Sequence, residues 1–137
     1  MTDQTPSTLI RIDDTDLTLD EPADDVRGRT VLDRNGDELG EVDGLVIDEQ
    51  EGQVRFLEVG AGGFLGLGEK KLLVPVDAIT AIDDDAVHIA TDLTHAVGAP
   101  AYDPKLVPDR RYYEDLYNYY AYPPFWAPGY IHPRFRR

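Results

Sequence analysis

Residues 54–82 read VRFLEVGAGGFLGLGEKKLLVPVDAITAI, and this stretch decides the fold. Two apolar runs, residues 54–59 and 72–76, flank a glycine-rich loop, and a third run, 78–82, follows Pro75 and Asp77. The runs are rich in β-branched residues and too short for ordinary helices, so they read as strands. The loop between them holds five glycines and carries Phe64, Leu65 and Leu67 at its tip.

Upstream, residues 29–33 and 38–48 read as a hairpin. Asn35-Gly36 predicts a type I′ turn, which needs positive φ at both positions. Within the second strand Val42 sits on one phase and Leu45 and Ile47 on the other, and Gly44 lies between. That shift is the signature of a β-bulge. The strand 53–60 is apolar on both phases, with Val54 and Phe56 on one and Leu57 and Val59 on the other. One face belongs to an interior, and the other needs cover from an arm, a tail or a second subunit. Strands at 70–76, 78–82 and 86–91 follow, with Asp83–Asp85 as a turn and Val87 and Ile89 inward. The expectation is an all-β domain, a small six-stranded antiparallel barrel closing on itself.

Before the barrel, residues 1–27 read as an arm, with strand-like pieces at 9–12 and 17–19. After it the composition changes: all eight tyrosines lie from Tyr102 onward, with Phe125, Trp126 and Phe135. Asp109 can cap a helix on which Tyr113, Leu116, Tyr117 and Tyr120 share one stripe, and Pro123-Pro124 ends it. The organisation is therefore arm (1–27), barrel (28–104) and helical, then extended, tail (105–137).

Acidic residues outnumber basic ones 27 to 13, giving a net charge of −14. Residues 1–93 carry 23 acidic and 7 basic side chains, and residues 94–137 carry 4 and 6. This balance opposes non-specific binding to nucleic acid or an anionic membrane. With no cysteine, neither disulfides nor thiol chemistry is available. No leader pattern and no ~20-residue apolar span are present, so cytoplasm is the expected compartment.

Four segments carry a resemblance: DVRGRTVLDRNGDELGEVDGLVID (25–48), VRFLEV (54–59), GGFLGLGEKKLLVPVDAI (62–79) and APAYDP (99–104). Across roughly residues 17–104 the chain is similar to bacterial stand-alone PRC-barrel proteins. The resemblance implies a compact six-stranded barrel, often dimeric. The same barrel occurs in the photosynthetic reaction-centre H subunit and at the C-terminal end of a ribosome maturation factor that binds a ribosomal protein. In both settings the barrel is implied to be a docking surface and not a catalyst, although neither specific role transfers.

No catalytic constellation is legible. Serine occurs once, at Ser7, and His88, His95 and His132 are far apart, so neither a serine nucleophile nor a zinc site has a place. The loop 60–71 lacks the lysine–Ser/Thr ending of a phosphate loop, and Lys70 and Lys71 are expected to be exposed. Asp33, Asn35 and Asp37 have the opening spacing of a calcium loop, but Glu38 and Gly44 stand where glycine and glutamate belong. Neither an enzyme, a cofactor nor a metal centre is expected. The expected function is a non-enzymatic protein-binding or assembly module, a homodimer or larger. Phe64, Leu65, Leu67, Tyr113, Leu116, Tyr117, Tyr120 and Trp126 are its contact residues. The alternative is a small-ligand or ion-binding module using the acidic hairpin turns. The tail helix is expected to dock on the apolar outer face of a barrel, its own or a second copy's.

Overall fold

The computed structural model describes residues 9–14, 25–49, 52–61, 70–100, 102–103 and 110–130. These form strands β1 (Leu9–Arg11), β2 (Thr30–Leu32), β3 (Glu38–Asp48), β4 (Val54–Ala61), β5 (Lys70–Pro75), β6 (Ile79–Ile82) and β7 (Ala86–Ile89), then helices α1 (Leu93–Val97) and α2 (Arg110–Tyr120). The sheet order is β5-β4-β3-β2-β7-β6, and β1 pairs with β3 beside Val46 to Asp48. Neighbours are antiparallel except β2 and β7, which run parallel with Val31 opposite Val87.

This corrects the expectation of six antiparallel strands closing into a barrel. Among the described residues the sheet is a curled, mixed half-barrel, and no ladder joins β5 to β6. The cause is a single 3₁₀ turn, Val76–Ala78, between those two strands. It carries the chain onward without reversing it, so β7 returns in the direction of β2. Three residues span at most ~10 Å, yet β5 and β6 are opposite edges of the sheet. The sheet must therefore curl to bring its edges within reach.

The bulge beside Gly44 is present: Val42 faces Val59 and Gly44 faces Glu58, leaving Asp43 as the extra residue. It lets Leu39, Val42, Leu45 and Ile47 all enter one interior cluster despite their mixed phase. A second bulge went unread. Val46 faces Phe56 and Ile47 faces Val54, so Arg55 is extra. Val54 then joins Leu57 and Val59 in the interior, while Phe56 turns to the outer face. The strand's two phases were read correctly only from Phe56 onward. At this end of the β3–β4 pair the backbones also come close: a Cβ on Gly40 would lie 2.1 Å from the Gly60 carbonyl oxygen.

The turn after β2 differs from a type I′ turn. Gly36 has φ +85°, but Asn35 is not among the positive-φ residues. The Gly36 N–H donates to the Asp33 carbonyl at 3.0 Å, and the Asp33 N–H donates to the Asp37 carbonyl at 2.8 Å. This is a type I turn closed by a left-handed glycine. The Asp33 carboxylate selects it, accepting the Asn35 and Asp37 N–H groups at 2.8 Å each and, on its other oxygen, the Leu93 N–H at 2.8 Å. Asp33 is only 3 % exposed. Burial pushes its pKa up, but the three backbone N–H groups outweigh this, and the net shift is downward. Its stabilising share is therefore present above the unfolded carboxylate value, about 3.9, and is lost as pH falls through the lower folded value. Asp33→Ala should lower stability by about 2–4 kcal/mol at neutral pH, a gap that urea titrations should see close as pH drops below about 4.

Short helix α1, which the sequence reading did not foresee, begins at Asp92, whose side chain accepts the His95 N–H at 2.8 Å. Ala96 lies within the interior cluster, and Leu93 and Val97 pack against it. Lys70 donates through Nζ to the Val97 carbonyl at 2.7 Å, and Lys71 pairs with Asp43. Both lysines are half-buried, not exposed as expected.

Candidate interaction surface

Outer-face residues of the sheet come from four strands. Leu9 of β1, Val46 of β3, Phe56 of β4 and Leu73 of β5 form a second cluster, separate from the interior one. Helix α2 covers it. Tyr113, Leu116, Tyr117 and Tyr120 fall on one stripe at helical spacing and are all buried there. The Phe56 ring lies 5.4 Å from Tyr113 and 5.0 Å from Tyr117, both tilted. The tail helix thus packs on its own sheet. The four helix residues that sequence reading named as contacts face inward, and their stripe is closed to a partner while α2 is seated.

The expected helix start at Asp109 and the loop-tip residues Phe64, Leu65 and Leu67 lie outside the described residues. Trp126, the remaining named residue, is half-buried. It meets Tyr117 edge-on at 5.8 Å and Phe125 at 5.1 Å, and Arg110 lies 4.6 Å over its ring. Phe125, Trp126 and Arg110 thus form a partly exposed aromatic and cationic patch where the chain turns back after α2.

Sequence reading missed the charges beneath this cover. Arg11 grips Glu58 through two bonds of 2.7 Å, and the Tyr102 hydroxyl donates to the same carboxylate at 3.0 Å. Glu58 is 2 % exposed. Burial, and next the Glu58 charge, drives the Tyr102 phenol far up. Arg55 lies 3.4 Å from Asp48, and both side chains are 3 % exposed. The Arg55 guanidinium also stacks 4.4 Å from the Phe125 ring centre and 5.8 Å from that of Tyr130. For Asp48 and Glu58 the available signal was phase, which they share with Val46 and Phe56, whereas Arg55 reaches that face only through the bulge at its own position.

The Tyr120 hydroxyl is buried with no hydrogen-bond partner among the described residues, the Tyr117 hydroxyl lies against the Phe125 backbone N–H, and burial pushes both phenols far up. Tyr113 is pushed up to about 12 by burial alone. The helix ends in a Schellman motif, with the Tyr122 N–H donating to the Tyr117 carbonyl at 3.0 Å and the Ala121 N–H to the Asn118 carbonyl at 3.2 Å. Ala121 holds the left-handed position, φ +65°, that glycine takes without strain. Ala121→Gly should therefore stabilise the chain by about 1 kcal/mol, measured as a higher urea midpoint at unchanged slope.

One polar clamp joins the two helices. The His95 ring stacks on Tyr119 at 4.1 Å, with its Nε2 3.1 Å from the Tyr119 carbonyl, and the Tyr119 hydroxyl donates to the His95 carbonyl at 2.6 Å. The acidic turns have inward work of their own. Asp83 accepts the Asp85 and Ala86 N–H groups at 3.0 and 2.8 Å and contacts His88 Nε2 at 3.0 Å, as Asp33 accepts three. Among the described residues, no three His, Cys, Asp or Glu side chains group as metal ligands would. No described helix is long and apolar enough to cross a membrane.

A protein-family model described as PRC-barrel domain matches residues 20–94. No curated protein matches the chain. The matched span ends before α2, so the aromatic tail lies outside it.

Proposed function

The chain belongs to the PRC-barrel domain family, and from that premise we propose that it is a non-enzymatic protein-docking module. One observation carries this reading: the outer face of β3, β4 and β5 already accepts an amphipathic helix through an aromatic stripe. A sheet face that packs a helix this way is a surface for helix-in-groove recognition. The half-exposed patch of Arg110, Phe125 and Trp126 supports the same reading, because Trp and Arg dominate binding hot spots. The ion-binding alternative rests on the turn carboxylates Asp33 and Asp83, and both are engaged in holding their own turns.

A thermal-shift panel of nucleotides, divalent cations and common metabolites tests the proposal. It expects no saturable shift, since a ligand that binds only the folded chain raises its melting point by mass action. One compound that shifts the midpoint along a binding isotherm would overturn it in favour of ligand binding.

A further inference from the structure

We propose that α2 is a releasable plug, and that the groove it leaves on β3, β4 and β5 takes the tail helix of a second copy. The inference rests on the docking reading and names its partner.

The helix that demonstrably fits this groove is the chain's own, so the occupant with matching chemistry is the same segment of another molecule. Release is favoured by three features within the seat itself. Tyr120 brings a buried hydroxyl with no partner among the described residues, where a phenylalanine would fill the same space without a polar atom to desolvate. Ala121 occupies a backbone region that suits glycine. The Arg55–Asp48 pair lies against Phe125 and Tyr130 of the segment that follows α2 and would regain water when that segment leaves with the helix, so uncovering this part of the face is less unfavourable than uncovering a wholly apolar one. The described polar bonds from α2 to the body, those of Tyr112 and Tyr119, run to residues 95–100 and not to the sheet. The plug is thus latched beside the groove and seated in it by side-chain packing. Charge agrees in direction, since residues 94–137 carry 4 acidic and 6 basic side chains against 23 and 7 in residues 1–93. Its screened attraction is weak.

The probe is a labelled peptide spanning residues 110–130, titrated into the intact chain by fluorescence anisotropy. Saturable binding is expected, reduced by the small open fraction of the groove. An intact chain carrying both Tyr120→Phe and Ala121→Gly holds its own plug more tightly, and its melting point should rise. Peptide affinity should fall roughly tenfold or more in it, since each ~1.4 kcal/mol is a factor of ten. Amide exchange in α2 should slow by a similar factor, with exchange in β3 and β4 unchanged. Donor- and acceptor-labelled intact chains, mixed at high concentration, should develop energy transfer that excess peptide suppresses. The proposal fails if the peptide does not bind, if the tightened variant binds it equally well, or if α2 exchanges only with global unfolding. Peptide binding without energy transfer between whole chains rejects the second copy as occupant. That outcome leaves the docking reading standing, whereas a saturable small-molecule shift in the thermal panel does not.

Discussion

Replacing Phe56 with alanine is expected to remove about 3–5 kcal/mol of stability, and to remove it first from the tail. The ring is fully buried between the sheet and α2, within 5.4 Å of Tyr113 and 5.0 Å of Tyr117. It belongs to the outer cluster, whereas Leu57 beside it points into the barrel. The two neighbours therefore report on different cores. In a urea titration of Phe56→Ala, Trp126 fluorescence should change at lower denaturant than the far-ultraviolet signal of the sheet, because Trp126 rests on Tyr117. Leu57→Ala, of comparable cost, should shift both probes together. Coincident, unshifted transitions in Phe56→Ala would mean that the tail adds little to the fold.

Asp48→Ala is the second large effect, about 3 kcal/mol at neutral pH. Arg55 is 3 % exposed, with Asp48 at 3.4 Å as its opposing charge. Removing Asp48 takes a carboxylate from beside a cation that stays buried, which is worse than removing both. The aromatic stack on Phe125 and Tyr130 shields part of that loss, which places the expectation at the lower end of the range for buried pairs. The double substitution Asp48→Leu with Arg55→Met should recover most of the stability, because apolar groups of similar volume often replace buried pairs without loss. Chemical melts of the single and double variants give the coupling directly. A single variant as stable as the parent would show that water or the other neighbours of Arg55 compensate when Asp48 is gone.

Much of the local structure was legible because its signals are local. The sheet strands β2 to β7 match alternating or continuous apolar runs to within two residues at their ends. The bulge at Gly44 followed from a phase change that two points on one strand reveal. The stripe on α2 followed from helical spacing alone. The second bulge, at Arg55, left no comparable trace. Val54 and Phe56 are both apolar, so either register satisfies the pattern, and pairing with Val46 and Ile47 decides between them. The Asn35 turn misled for another reason. Asn-Gly favours a type I′ turn locally, but a carboxylate two residues earlier binds the Asn35 N–H and holds a type I turn instead.

The strand-rich class, the family resemblance, the two apolar faces of strand 54–59 and the need for something to cover the outer one are all legible in the order of residues along the chain. Periodicity and composition carry these properties, and neither depends on where the chain goes next. Tertiary structure alone decided that the sheet is mixed and open-edged, that α1 packs against its interior cluster, and that the cover is the chain's own tail. Direction and partner choice belong to pairs of segments far apart in the chain: β2 with β7 and Phe56 with Tyr117. The same holds for the charged residues of the outer face. As charged residues, Asp48, Arg55 and Glu58 carry no sign of burial in the sequence, because an alternating strand carries polar groups on its wet side. They are buried because β1, residue 102 and the tail close over that side and bring Arg11, Tyr102 and Phe125 with them. Burial of a charge is fixed by what arrives above it, and the residues on either side of it in the chain hold no record of that.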